Sequence, residues 1–231
     1  MRSILSFRNQ ILTVASVALV AATRVGAQQT PDLAPYMIAD RSAEVALART
    51  AAPASISDSA AVLVLTRTGF VQAAPGSNGF TCLVFRSFDG SLTDPNFWTP
   101  ATRGPACLNA AASATYLKEM QKRTEWIMAG VSTSEIATRT QRAFASHEFP
   151  LPAVGALAYM MSPKQHLADT NPHWMPHLMF FYDKSAPAAA WGASGMTSTI
   201  IDGSIGDKSS PVLTLLIPVR QWSDGTPALG H

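Results

Sequence analysis

The stretch Asn109–Ala145, NAAASATYLKEMQKRTEWIMAGVSTSEIATRTQRAFA, decides how this chain is read. Ala111, Leu117, Met120, Ile127 and Met128 are spread among polar residues up to Ala129, a pattern that predicts a helix. Gly130 can adopt the left-handed backbone that closes a helix. Ser132 and Glu135 then form a capping box for a second helix through Ala145, with Ile136, Ala143 and Phe144 as its apolar face. Pro150 and Pro152 end the helical block.

On both sides of this block the pattern is β. Upstream, Ala61–Leu65 and Gly69–Ala73 read as a hairpin around Thr66-Arg67-Thr68, and Phe80–Phe88 as a strand. A short helix precedes them, capped by Asp40 and stopped before Pro53. Downstream, Gly155–Met161, His177–Tyr182, Thr197–Ile201 and Val212–Val219 are strand candidates, Pro218 placing the last at an end or an edge. Strands, then helices, then strands predict a single α+β domain over residues 38–231. Its sheet is mostly antiparallel, with two or three helices packed on one face. The elements do not alternate as a doubly wound parallel sheet requires. Between Asp89 and Pro105 lies a long connection containing Trp98, of the length at which loops are functional or braced.

Composition narrows the function. The chain is 47% hydrophobic and 14% charged, with 17 Lys and Arg against 15 Asp and Glu. So low a charge content excludes an intrinsically disordered chain, and no basic stripe exists to bind nucleic acid through counterion release.

The N-terminus reads as a secretory signal peptide. Arg2 and Arg8 precede the apolar run Ile11–Ala22, and Val25-Gly26-Ala27 offers small residues before a cleavage point. The run is too short to span a bilayer. Residues 1–27 are therefore expected to be a leader and 28–37 a loose arm. Cleavage removes three arginines and no acid, which turns the formal charge of +2 slightly negative. No later stretch is long and apolar enough to be an integral membrane segment, so the expected location is the periplasm or the medium. In such an oxidising space Cys82 and Cys107 should form a disulfide. With Cys82 in a strand and Cys107 at the entrance to the helical block, that bond is expected to tie helix to sheet.

The segments GFTCLVFRSF (79–88), FWTP (97–100), PAC (105–107), YMMS (159–162), PHLMFFY (176–182), WGA (191–193) and QWSDG (221–225) together resemble a family of uncharacterised exported bacterial proteins. The resemblance implies export and a single domain, and no activity.

Chemistry-bearing residues concentrate in Tyr159–Asp183. His166, His173 and His177 fall within twelve residues, with Asp169 between them, and three such ligands suit zinc. Pro172 and Pro176 prevent a helix from presenting His173 and His177 on one face. A second role for the cluster is general-base chemistry without metal, oriented by Asp169 or Asp183. The plainer expectation is that His173 and His177 are held by backbone hydrogen bonds where a loop enters a strand, with Trp174 and Met175 packed nearby. Trp174 and Trp191 are candidate walls of a ligand groove. Glu119 and Glu125, among Lys118, Lys122 and Arg123, read as a solvated helix face. No G-x-S-x-G, S-x-x-K or phosphate-binding glycine loop is present. The resulting expectation is a non-catalytic exported domain, without a cofactor, that binds a small molecule or a cell-envelope component. The alternative is a His-centred hydrolase, with or without zinc, that uses the 166–177 loop.

Overall fold

A computed structural model describes residues 31–167, 174–195, 198–204 and 208–228. The segment expected to be a leader, residues 1–27, lies outside the described residues, as do Asp169 and His173. Helix α1 (Arg41–Arg49) starts where expected, Asp40 accepting the Ser42 amide at 2.8 Å. A single turn, α2 (Ala54–Ser57), follows Pro53. Strands β1 (Ala61–Thr66) and β2 (Gly69–Ala74) form the expected hairpin, and β3 (Thr81–Phe85) runs parallel to β1.

The helical block divides into α3 (Ala110–Ala114), α4 (Tyr116–Met128) and α5 (Thr133–Ala145). The expected single helix breaks at Thr115, whose backbone leaves the helical region (φ −124°, ψ −86°). The Thr115 hydroxyl donates to the Ala111 carbonyl at 2.6 Å, a local bond of the kind that bends helices. Ser132 caps α5 as read, and Gly130 closes α4 at φ +77°.

One strand was not foreseen: β4 (Gly104–Leu108), fully buried, lies between β3 and β5 (Leu157–Met160). Strands β6 (His177–Asp183), β7 (Ile201–Asp202) and β8 (Val212–Pro218) complete the sheet, whose order is β2-β1-β3-β4-β5-β6-β8-β7. Every pairing but β1–β3 is antiparallel. The fold is α+β.

Alternation along the strands sends side chains to two faces. On one, α3 and α4 pack over Leu83, Leu108, Ala158 and Phe181, and the Tyr116 ring stacks on Phe181 at 4.0 Å. Helix α5 packs behind α4, adding Ile136 to a cluster with Ile127 and Leu65. On the other face α1 covers Val62, Cys82, Val84 and Cys107 with Ala48, Ala51 and Ala52. The disulfide joins Cys82 to Cys107. It links directly opposed residues of β3 and β4 rather than helix and sheet, because Cys107 belongs to a strand. Within the expected loose arm, Tyr36 is buried against Phe88 and Trp98. Arg86 holds it there by donating from Nε to the Tyr36 carbonyl at 2.8 Å. Among the described residues no helix is long and apolar enough to cross a membrane.

Candidate ligand cavity

A cavity of about 360 Å³ lies between α4 and its face of the sheet. Its floor is built from strand residues that alternate onto that face: Phe85, Gly104, Met160, His177, Met179, Thr214 and Leu216. Its roof is Tyr116, Glu119 and Arg123 of α4 with the turn Arg86–Gly90, and exposed Asp94 and Asn96 stand at the mouth. Two glycines allow the walls to close. A Cβ on Gly104 would stand 2.5 Å from the Met160 methyl, and one on Gly203 would stand 2.9 Å from Leu216 Cγ.

The roof carries buried charge. Arg86 Nη2 donates to Glu44 at 2.7 Å with both side chains essentially inaccessible, and Nη1 donates to the Val84 carbonyl. Asp89 accepts the Arg86 amide and the Thr124 hydroxyl, each at 2.7 Å. Burial nevertheless pushes its carboxyl up to about 6, because those bonds and the fields of Arg86 and Arg123 only partly offset the loss of water. Arg123 donates to the Gly90 carbonyl at 2.8 Å and pairs with Glu119 at 3.4 Å. Ser210 in turn donates to Glu119 at 3.2 Å. The Thr102 hydroxyl, also buried at the wall, has no hydrogen-bond partner among the described residues.

The solvated reading of α4 is thus corrected: Glu119 is 2% exposed and Arg123 8%, while Lys122 and Glu125 form the exposed pair. The signal was present in the spacing. Glu119 and Arg123 share a stripe with Tyr116, Met120 and Ile127, at separations of three and four.

At the far end of the floor, His177 is 1% exposed. Its Nδ1 lies 3.0 Å from the Met175 carbonyl, and the Trp174 ring meets it edge-on with centroids 4.5 Å apart. Gln165 reinforces the entry by donating to the Trp174 carbonyl. Burial lowers the imidazole to about 4, more than the Met175 bond raises it. Half-buried His166 stands elsewhere, in a two-bond backbone bridge with Arg103. Among the described residues no three of His, Cys, Asp and Glu gather to hold an ion.

The two tryptophans are not walls of one groove. Trp174 lies against His177, while Trp191 stacks on Tyr182 at 4.3 Å. Five residues of strand separate these contacts by roughly 17 Å, and the odd spacing puts them on opposite faces of the sheet. Asp183, a sequence candidate for orienting a histidine, instead accepts the Ser185 amide at 2.8 Å at the same remote end.

Comparison with protein-family models, curated proteins and solved structures finds no match to the chain.

Proposed function

We propose that this is an exported, non-catalytic domain of the periplasm or the medium that binds a small, largely apolar molecule between α4 and the sheet. One observation carries the reading: a cavity of about 360 Å³ whose floor includes Met160, Met179 and Leu216, under a roof of buried charges that pair with one another. That volume falls within the range of small-molecule sites, and the lining sets an apolar patch of floor against polar groups that can orient a ligand. Binding fits better than hydrolysis because His177 is oriented by a carbonyl, where a general base is ordinarily oriented by a carboxylate. Export is supported by the leader and by a disulfide suited to an oxidising compartment.

The test uses protein labelled at the methionine methyls and a library of neutral aromatic and alicyclic fragments. Fragments should shift the Met160 and Met179 methyl resonances. Gly104→Val should abolish the shifts, since a side chain there drives Met160 into the cavity. Absence of any such shift, or shifts that survive in Gly104→Val, would overturn the reading. Turnover of p-nitrophenyl esters that disappears in His177→Phe would favour a hydrolase instead.

A further inference from the structure

We infer that the ligand of this cavity is an uncharged hydrogen-bond donor, an alcohol or phenol, whose hydroxyl ends on Nε2 of His177. The inference rests on the binding reading above and adds the chemistry of the ligand to it.

The Met175 oxygen 3.0 Å from Nδ1 can only accept, so the ring proton must sit on Nδ1. Burial keeps the imidazole neutral at physiological pH. Nε2 is then a bare lone pair, and among the described residues it makes no hydrogen bond. His177 projects from the same face of β6 as Met179, and both line the cavity. This acceptor opens on the cavity, and a ligand donor there would complete it with a hydrogen bond.

At the roof Arg86 donates to Glu44 and to two carbonyls, and Arg123 donates to Glu119 and to the Gly90 carbonyl. An ammonium at Nε2 would meet the Trp174 ring edge, and Glu119 of the lining is already paired with Arg123, which disfavours a cation. A hydroxyl satisfies Nε2 at no electrostatic cost, and the body of the molecule can lie on the methionines, whose flexible thioethers adapt to its shape.

The experiment compares 1-naphthol with 1-methoxynaphthalene, which lacks the donor, on protein carrying ¹⁵N-histidine and labelled methionine methyls. The unliganded His177 signal, assigned by its contact with the Trp174 ring, should show a protonated Nδ1 and a pyridine-like Nε2 at pH 7. Naphthol should move Nε2 upfield and bind about tenfold tighter than the ether, the size of one hydrogen bond. His177→Phe should bring the two probes to parity. A proton found on Nε2, or equal affinities with Nε2 unmoved while Met160 and Met179 shift, would overturn the inference and leave the binding reading intact. If neither probe shifts Met160 or Met179, both fall together. The wild-type measurements decide the matter even if His177→Phe does not fold.

Discussion

The two faces of one sheet are finished in opposite ways. Under α1 the contacts are Ala48, Ala51, Ala52, Val62 and the Cys82–Cys107 pair, all at 0–2% exposure, so helix and sheet approach closely with small side chains. Under α4 the side chains are longer, a cavity remains, and the charged Asp89, Glu119 and Arg123 are buried. The first face resembles a sealed joint and the second a site. The difference follows from alternation in β3 and β4, where Cys82, Val84 and Cys107 go one way and Leu83, Phe85, Ala106 and Leu108 the other. Arg86, next in register after Val84, sits at the seam: it lines the cavity and pairs with Glu44 of α1.

That seam should be the most costly place to cut. Arg86→Met leaves Glu44 buried without its partner and releases the Tyr36 carbonyl. The expected loss is about 4 kcal/mol in urea-unfolding free energy, typical of breaking a buried pair from one side. Glu44→Gln with Arg86→Met should recover part of it, and a single-variant loss under 1 kcal/mol would show the two faces to be independent.

Opening the sealed face comes next. Replacing Cys82 and Cys107 by alanine frees a loop spanning a separation of 25 residues, worth on the order of 3 kcal/mol on the chain-entropy account. The destabilisation should leave the shapes of probe titrations at the cavity unchanged. Altered naphthol affinity in the folded variant would mean that the α1 face helps to shape the α4 face.

The α4 face carries two titrations of opposite sign. Asp89 has its folded value raised to about 6, so its native form holds the proton and stability falls as pH climbs from about 4 to 6. His177 has its folded value lowered to about 4, so stability is lost as pH drops from about 6.5 to 4. Each shift is worth up to roughly 3 kcal/mol, and in the wild type they largely cancel across that window. Asp89→Asn should unmask a stability that rises with pH between 4 and 6, and His177→Phe one that falls. Two variants with the same slope would refute the assignment of one group or the other.

What the sequence revealed, and what it hid, also divides along these lines. Caps and stops are local chemistry, so Asp40, Ser132 and Gly130 marked α1, α5 and the end of α4 correctly. The strand β4 was hidden because Gly104 and Pro105 disfavour strands locally. Its stability comes from neighbours on both sides, which no window of sequence contains. Missing β4 also misplaced the disulfide. Glu119 and Arg123 were misread because charge was weighed above helical position: their acid–base neighbours in sequence point to water while they point to Asp89 and Ser210. His177 was legible as a residue held by a backbone carbonyl at a strand entry, since Pro176 and the apolar run after it leave the ring little else. Its bare Nε2 was not legible, because that depends on the cavity.

The smallest effect is the most direct comparison of the two faces, because it adds similar bulk to each. Ala48→Val inserts two methyl groups where α1 meets the sheet at 0% exposure, and such overpacking should cost about 1–3 kcal/mol. Thr214→Ile on the cavity floor replaces a hydroxyl by a methyl and adds a carbon where space already exists. It should change unfolding free energy by less than about 0.5 kcal/mol, since no neighbour must move to admit it. It should nonetheless weaken naphthol binding severalfold by narrowing the floor. Equal destabilisation by the two substitutions would mean that the α4 face is packed as tightly as the other, and the distinction between joint and site would have no physical basis.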